Sequence, residues 1–124
     1  QAFGVVGIPG LENEAGWSNG DVPAEHAIRG FHGVTLLLDN AARTGAILTD
    51  VIGFEETARE GSVIRFKAPG LATGSVVDIY EAGGFLPGRQ GTGSVHHIAF
   101  RAKDDAEHRE QLPAHRRSAH ALGR

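Results

Sequence analysis

Phe31-His-Gly-Val-Thr-Leu-Leu-Leu38, followed by Asp39-Asn40, Ala41–Ile52 and Gly53, is the stretch that decides the fold. Phe31–Leu38 is a leucine and β-branched run of strand length. Asp39 or Asn40 stands where a helix cap belongs, and Ala42, Ala46, Ile47 and Val51 then recur at helical spacing. Gly53 sits in the C′ position that ends such a helix. Two more strands are predicted at Glu55–Arg59 and Ser62–Ala68, joined through Glu60-Gly61. In the second, Ile64, Phe66 and Ala68 alternate with Val63, Arg65 and Lys67, the period of a half-buried strand. A loop at Pro69–Gly74 leads to a further strand, Ser75–Glu81. The predicted order is β-α-β-β-β, an α+β arrangement.

Beyond a glycine-rich loop at 83–93, the chain repeats this opening. Val95–Leu112 lies over Phe31–Leu48 at an offset of 64, so that His32 falls on His96, Val34 on Ile98 and Leu36 on Phe100. Asn40 falls on Asp104, Ala42 on Ala106 and Leu48 on Leu112. Both segments read as strand, capping residue and helix, so Val95–Ala102 is predicted to open a second module. Pro113 then interrupts the helix, and residues 113–124 show no strand alternation; they read either as a solvated terminus or as a shifted reading frame or cloning remnant. Upstream, Phe3–Ile8 reads as a short strand closed by Pro9-Gly10, and residues 11–29 as an extended linker in which Trp17 packs on a neighbouring surface.

Composition narrows the chemistry. The 124 residues suit one domain, with 40% hydrophobic and 22% charged side chains. A net charge of -3 offers no basic field for phosphates, so nucleic acid is not expected as a partner. The absence of cysteine removes disulfides, thiolate metal sites and cysteine nucleophiles, and fits a cytoplasmic protein. No apolar run approaches the roughly 20 residues that span a bilayer, so no membrane is expected. Gly83–Gly93 lacks the Lys-Ser/Thr ending of a phosphate loop, and there is no Gly-x-Ser-x-Gly. The 18 glycines suit tight turns between short strands. The chain contains no methionine and begins with Gln1, which reads as a piece of a longer sequence.

Three stretches carry a resemblance: Gly30-Phe-His-Gly-Val-Thr-Leu, Val51-Ile-Gly-Phe-Glu and Gly91-Thr-Gly-Ser-Val-His-His-Ile-Ala-Phe-Arg. They resemble the vicinal-oxygen-chelate superfamily of glyoxalases, bleomycin-resistance proteins and extradiol dioxygenases. Gly84-Phe-Leu-Pro-Gly-Arg-Gln and Trp17-Ser-Asn-Gly-Asp-Val-Pro-Ala-Glu-His look most like the ring-cleaving dioxygenases of hydroquinone type. The resemblance implies four βαβββ modules in the whole protein. Residues 1–10 would end a preceding module, 11–29 form a linker, 30–82 make one complete module, 83–93 a loop, and 94–112 begin the next, ahead of the tail at 113–124.

The same resemblance implies a cup around a divalent metal, Fe(II) or Mn(II). Its ligands would be a histidine on the first strand of a module and a carboxylate on the last. His97, ahead of Ile98-Ala99, matches the first; Asp78, on the last strand of the complete module, matches the second. In the first copy Gly33 stands at the position of His97. By residue chemistry alone, a histidine pair such as His96-His97 is an ordinary hydrogen-bonding feature, and Asp78 is equally suited to pair with Arg65 or Lys67 across the sheet. His32 reads as structural, and His26, His108, His115 and His120 as solvated. Arg89 and Arg101 read as surface charge, with an anionic substrate as the sharper alternative.

The implied function is cleavage of hydroquinone- or catechol-like rings, with a small aromatic substrate and dioxygen as partners. Glyoxalase-type isomerisation or thiol transfer, and a metal-free binding or dimerisation module, are the alternatives. Residues 1–124 alone are expected to hold no metal and to be inactive. Uncovered strand edges predict a homo-oligomer.

Overall fold

The computed structural model describes residues 2–84, 91–93, 95, 97–100, 102 and 105–106. Four strands and one helix form the module: β1 (Gly33–Leu38), α1 (Ala42–Ile47), β2 (Glu55–Glu60), β3 (Val63–Lys67) and β4 (Val76–Glu81). The sheet order is β1-β4-β3-β2. β1 and β4 run parallel, because the helix returns the chain to the same end, while the short turns make β4, β3 and β2 antiparallel.

Alternation along the strands divides the sheet into two faces. Val34, Leu36, Ile64, Phe66, Val77 and Ile79 lie towards the helix, and Ile79 and Val77 are fully buried there. Ala41, Leu48 and Phe54 close this core from the helix side. Gly45 is what lets α1 lie so near the sheet, since a Cβ on it would stand 3.2 Å from the Phe66 ring. The opposite face carries Thr35, Leu37, Arg65, Asp78 and Tyr80, and no described helix covers it.

The helix differs from the uninterrupted Ala41–Ile52 predicted by spacing. After Ile47 it widens into a π-helical turn, Leu48–Ile52, ended by Gly53 at φ 83°. Thr49 lies in this turn. Its Oγ1 is within hydrogen-bond distance of Asp50 Oδ1 at 2.8 Å and of the Gly45 and Ala46 carbonyls at 3.2 and 3.3 Å, so its one hydroxyl proton is available to the backbone ladder there. The wider turn brings Phe54 back into the core, where its N–H donates to the Leu48 carbonyl at 2.9 Å.

The helix start is also shared more widely than a single cap. Asn40 Oδ1 accepts from the Ala42 N–H at 2.9 Å, and Glu81 Oε2, from the end of β4, accepts from the Ala41 N–H at 2.7 Å. Asp39 instead accepts from the Gly84 N–H at 3.0 Å, tying the exit of β4 to the exit of β1.

Three predicted segments take other forms. Residues 3–8 form no strand, for nothing described pairs with them, and all but the half-buried Ile8 are exposed. Residues 11–29 are not extended. Arg29 donates to the carbonyls of Glu14 and Ala24, and the Trp17 N–H donates to Ile28, so the segment closes on itself as a loop. Trp17 lies over Gly20 and stays 59% exposed rather than packing on another surface. The described residues of 95–102 belong to no strand either, since no described strand offers them a ladder. Phe100 packs instead edge-to-face on Phe54, with ring centroids 5.3 Å apart. Asp105 and Ala106 are helical, within the predicted second helix. No described helix is long and apolar enough to cross a membrane.

Candidate functional site

Asp78 occupies the middle of β4, one of the two strands with neighbours on both sides. Register places it between Thr35 of β1 and Arg65 of β3 on the uncovered face. Arg65 grips it with both arms of the guanidinium: Nε donates to Oδ1 at 2.8 Å and Nη2 to Oδ2 at 2.7 Å. This is the fork geometry in which arginine binds a carboxylate most strongly. The hydrogen bond to Asp78, and then its charge, raise the Arg65 pKa above the usual guanidinium value. The cross-strand pairing weighed for Asp78 from its position is therefore formed, and both carboxylate oxygens are engaged.

His97 is exposed and lies in irregular chain. Strand alternation thus does not set its direction, because the strand assumed for it is not formed among the described residues. His96, Arg89, Arg101, His108, His115 and His120 lie outside the described residues. His26 ends a short 3-10 turn and is exposed, while His32 is half-buried just ahead of β1.

Gly33 marks the position in the complete module that corresponds to His97. A Cβ there would stand 2.6 Å from the Val76 carbonyl oxygen and 2.8 Å from the Val76 Cβ. The two parallel strands approach too closely for any side chain, so this position offers no donor and has no room for one. Among the described residues, no three His, Asp or Glu side chains gather as a metal site would require. The described donor set therefore does not by itself fit Fe(II) or Mn(II).

On the helix side a cleft of 290 Å³ runs between α1 and β2, floored by Ile64 and Phe66 and bordered by Glu56, Arg59 and Glu81. A bulge between Glu56 and Ala58 turns Glu56 and Arg59 to the same face, where they pair at 3.0 Å. Sequence spacing gave no sign of this, because residues three apart on a plain strand point to opposite faces. The cleft and Asp78 are on opposite sides of the sheet.

No family model matches the chain. Individual proteins do. MhqO of Bacillus subtilis (strain 168), named as a ring-cleaving dioxygenase, is 38% identical over 97 residues, covering 77% of this chain and 30% of the relative. The chlorohydroquinone/hydroquinone 1,2-dioxygenase of Sphingobium indicum is 30% identical over 90 residues, covering 71% of this chain and 28% of that protein. A crystal structure described as a dioxygenase from Bacillus subtilis superposes with a TM-score of 0.66 at 35% identity, over 80% of this chain and 32% of that one. The chain thus spans under a third of the length of the curated relatives it matches. Its βαβββ sheet, and its partial match to proteins named as ring-cleaving dioxygenases, fit the vicinal-oxygen-chelate superfamily.

Proposed function

We infer that this chain forms part of a metal-dependent dioxygenase that opens hydroquinone- or catechol-like rings. The observation that carries the reading is the identity of 30–38% to ring-cleaving dioxygenases over about three quarters of the chain. The module's part is to supply a rigid four-stranded wall with an uncovered face. His97 is the donor proposed for Fe(II) or Mn(II), completed by residues from outside those described here. Asp78 is the second candidate, and its ion pair with Arg65 competes with a cation for the carboxylate. When bound, the metal supplies a Lewis-acid template for ring and dioxygen.

The test is a chain completed to the length of its relatives, purified anaerobically with Fe(II) and given hydroquinone in aerated buffer. Dioxygen uptake with a ring-opened product is expected, and His97→Ala should remove both the uptake and the bound iron. Residues 1–124 alone should bind negligible iron by elemental analysis. Full activity in His97→Ala, or stoichiometric tight iron in residues 1–124, would move the site elsewhere.

A further inference from the structure

The chain holds three asparagines, and the peptide nitrogen that follows each meets a different environment. Asn13 precedes Glu14, whose N–H donates to the Leu11 carbonyl at 3.1 Å. Asn40 precedes the buried Ala41, whose N–H donates to Glu81 Oε2 at 2.7 Å. The Asn40 side chain is itself engaged, its Oδ1 accepting from the Ala42 N–H at 2.9 Å. Asn19 precedes Gly20. Both are exposed in the bend of residues 19–22. Among the described residues, neither the Asn19 side chain nor the Gly20 N–H has a hydrogen-bond partner.

This difference bears on the reactivity of the side-chain amide. The nitrogen after an asparagine can close a five-membered ring on its Cγ, and a nucleophile tethered beside its target has a large advantage over a free one. To attack, that nitrogen must shed its proton and be open to approach. An N–H that donates to an acceptor is turned away from Cγ, which holds back Glu14 and Ala41. Gly20 has no such restraint and no Cβ to crowd the approach. Its φ of 151° is one that other residues rarely adopt, so the bend itself calls for glycine there.

We propose that Asn19 is a site of self-modification, at which the Gly20 nitrogen converts the side-chain amide to aspartate and isoaspartate. The Gly20 nitrogen gives its proton to hydroxide and bonds to Asn19 Cγ. The side-chain nitrogen leaves as ammonia, taking a proton from water, and a cyclic imide remains. Water then opens the imide. Attack at Cγ restores the ordinary backbone with an aspartate; attack at the backbone carbonyl carries the chain through the side chain as isoaspartate. One water is taken up and one ammonia released, with no change in oxidation state. Either product adds a negative charge beside Asp21. Isoaspartate also lengthens the backbone by one atom where the Trp17 ring lies against Gly20, so it alters the loop that Arg29 closes.

Peptide mass mapping of the full chain, held in warm, mildly alkaline buffer and sampled over days, tests this. The peptide containing Asn19 should gain one mass unit and become a methyl acceptor for isoaspartyl methyltransferase, which passes over ordinary aspartate. Asn13 and Asn40 react only after their following N–H groups are released, and should lag by more than about tenfold, a factor that local opening of modest cost already imposes. Asn19→Gln, which would need a larger ring, should keep its mass. An Asn19 peptide that keeps its mass, Asn13 or Asn40 reacting as fast, or a mass gain without isoaspartate would each overturn the proposal.

Discussion

Gly33→Ala is the substitution with the sharpest predicted consequence, because the obstacle is backbone rather than a side chain that can turn away. The added Cβ would lie 2.6 Å from the Val76 carbonyl oxygen, and ordinary van der Waals contact begins near 3.4 Å. Relief requires β1 to move by most of an ångström from β4, the strand that holds Val77 and Ile79 in the centre of the core. Overpacking of this kind costs about 1–3 kcal/mol. Removing a glycine from the unfolded chain returns roughly 0.4–1 kcal/mol. The net loss should be about 1–2 kcal/mol, or roughly 4–16 °C in Tm for a domain of this size. Urea titration and thermal melts followed by circular dichroism would measure it. Gly4→Ala is the control, since nothing lies within 4 Å of a Cβ there. A Gly33→Ala chain as stable as the native one would refute the close approach of the strands. It would also reopen position 33 to a histidine, which the same geometry now excludes.

Two other predictions concern stability. Phe66→Ala removes a ring that is 3% exposed beneath Gly45, and should cost about 3–5 kcal/mol, read as a lowered midpoint in urea titration followed by circular dichroism. Arg65→Met takes the guanidinium from Asp78 while keeping the stem; with the Arg65 side chain 49% exposed, solvent screening holds the loss to about 1 kcal/mol in urea titration. A loss above roughly 3 kcal/mol would mean that the pair behaves as a buried one.

The module was legible in the sequence because its strands are short and half-buried, so that period-two runs mark their faces directly. Ile64 and Phe66 alternate with Val63, Arg65 and Lys67 as predicted. The misses share a cause. Phe3–Ile8 and the described residues of 95–102 have strand composition, but a strand exists only where another strand answers its backbone, and composition does not report that. The Arg29 contacts that close residues 11–29 link positions up to 15 apart through carbonyls, which leave no trace in side-chain pattern. The bulge in β2 and the Glu81 contact to the helix start were invisible for the same reason.

The site was legible to a lesser degree, and Asp78 shows why. Position alone left it equally a ligand and a partner for the basic residues of β3. Register decides what it touches, since Arg65 lies directly opposite on the neighbouring strand. Both Asp78 oxygens accept a charge-assisted hydrogen bond from Arg65, whose positive charge beside the carboxylate opposes a cation there. Gly33 closes the other route, through steric contact rather than charge. With one candidate carboxylate engaged and one first-strand position unable to carry any side chain, this module's uncovered face is better suited to be a wall than a metal centre. With His97 as the proposed donor and Asp78 as the second candidate, His97→Ala is the substitution that tests the proposed chemistry most directly.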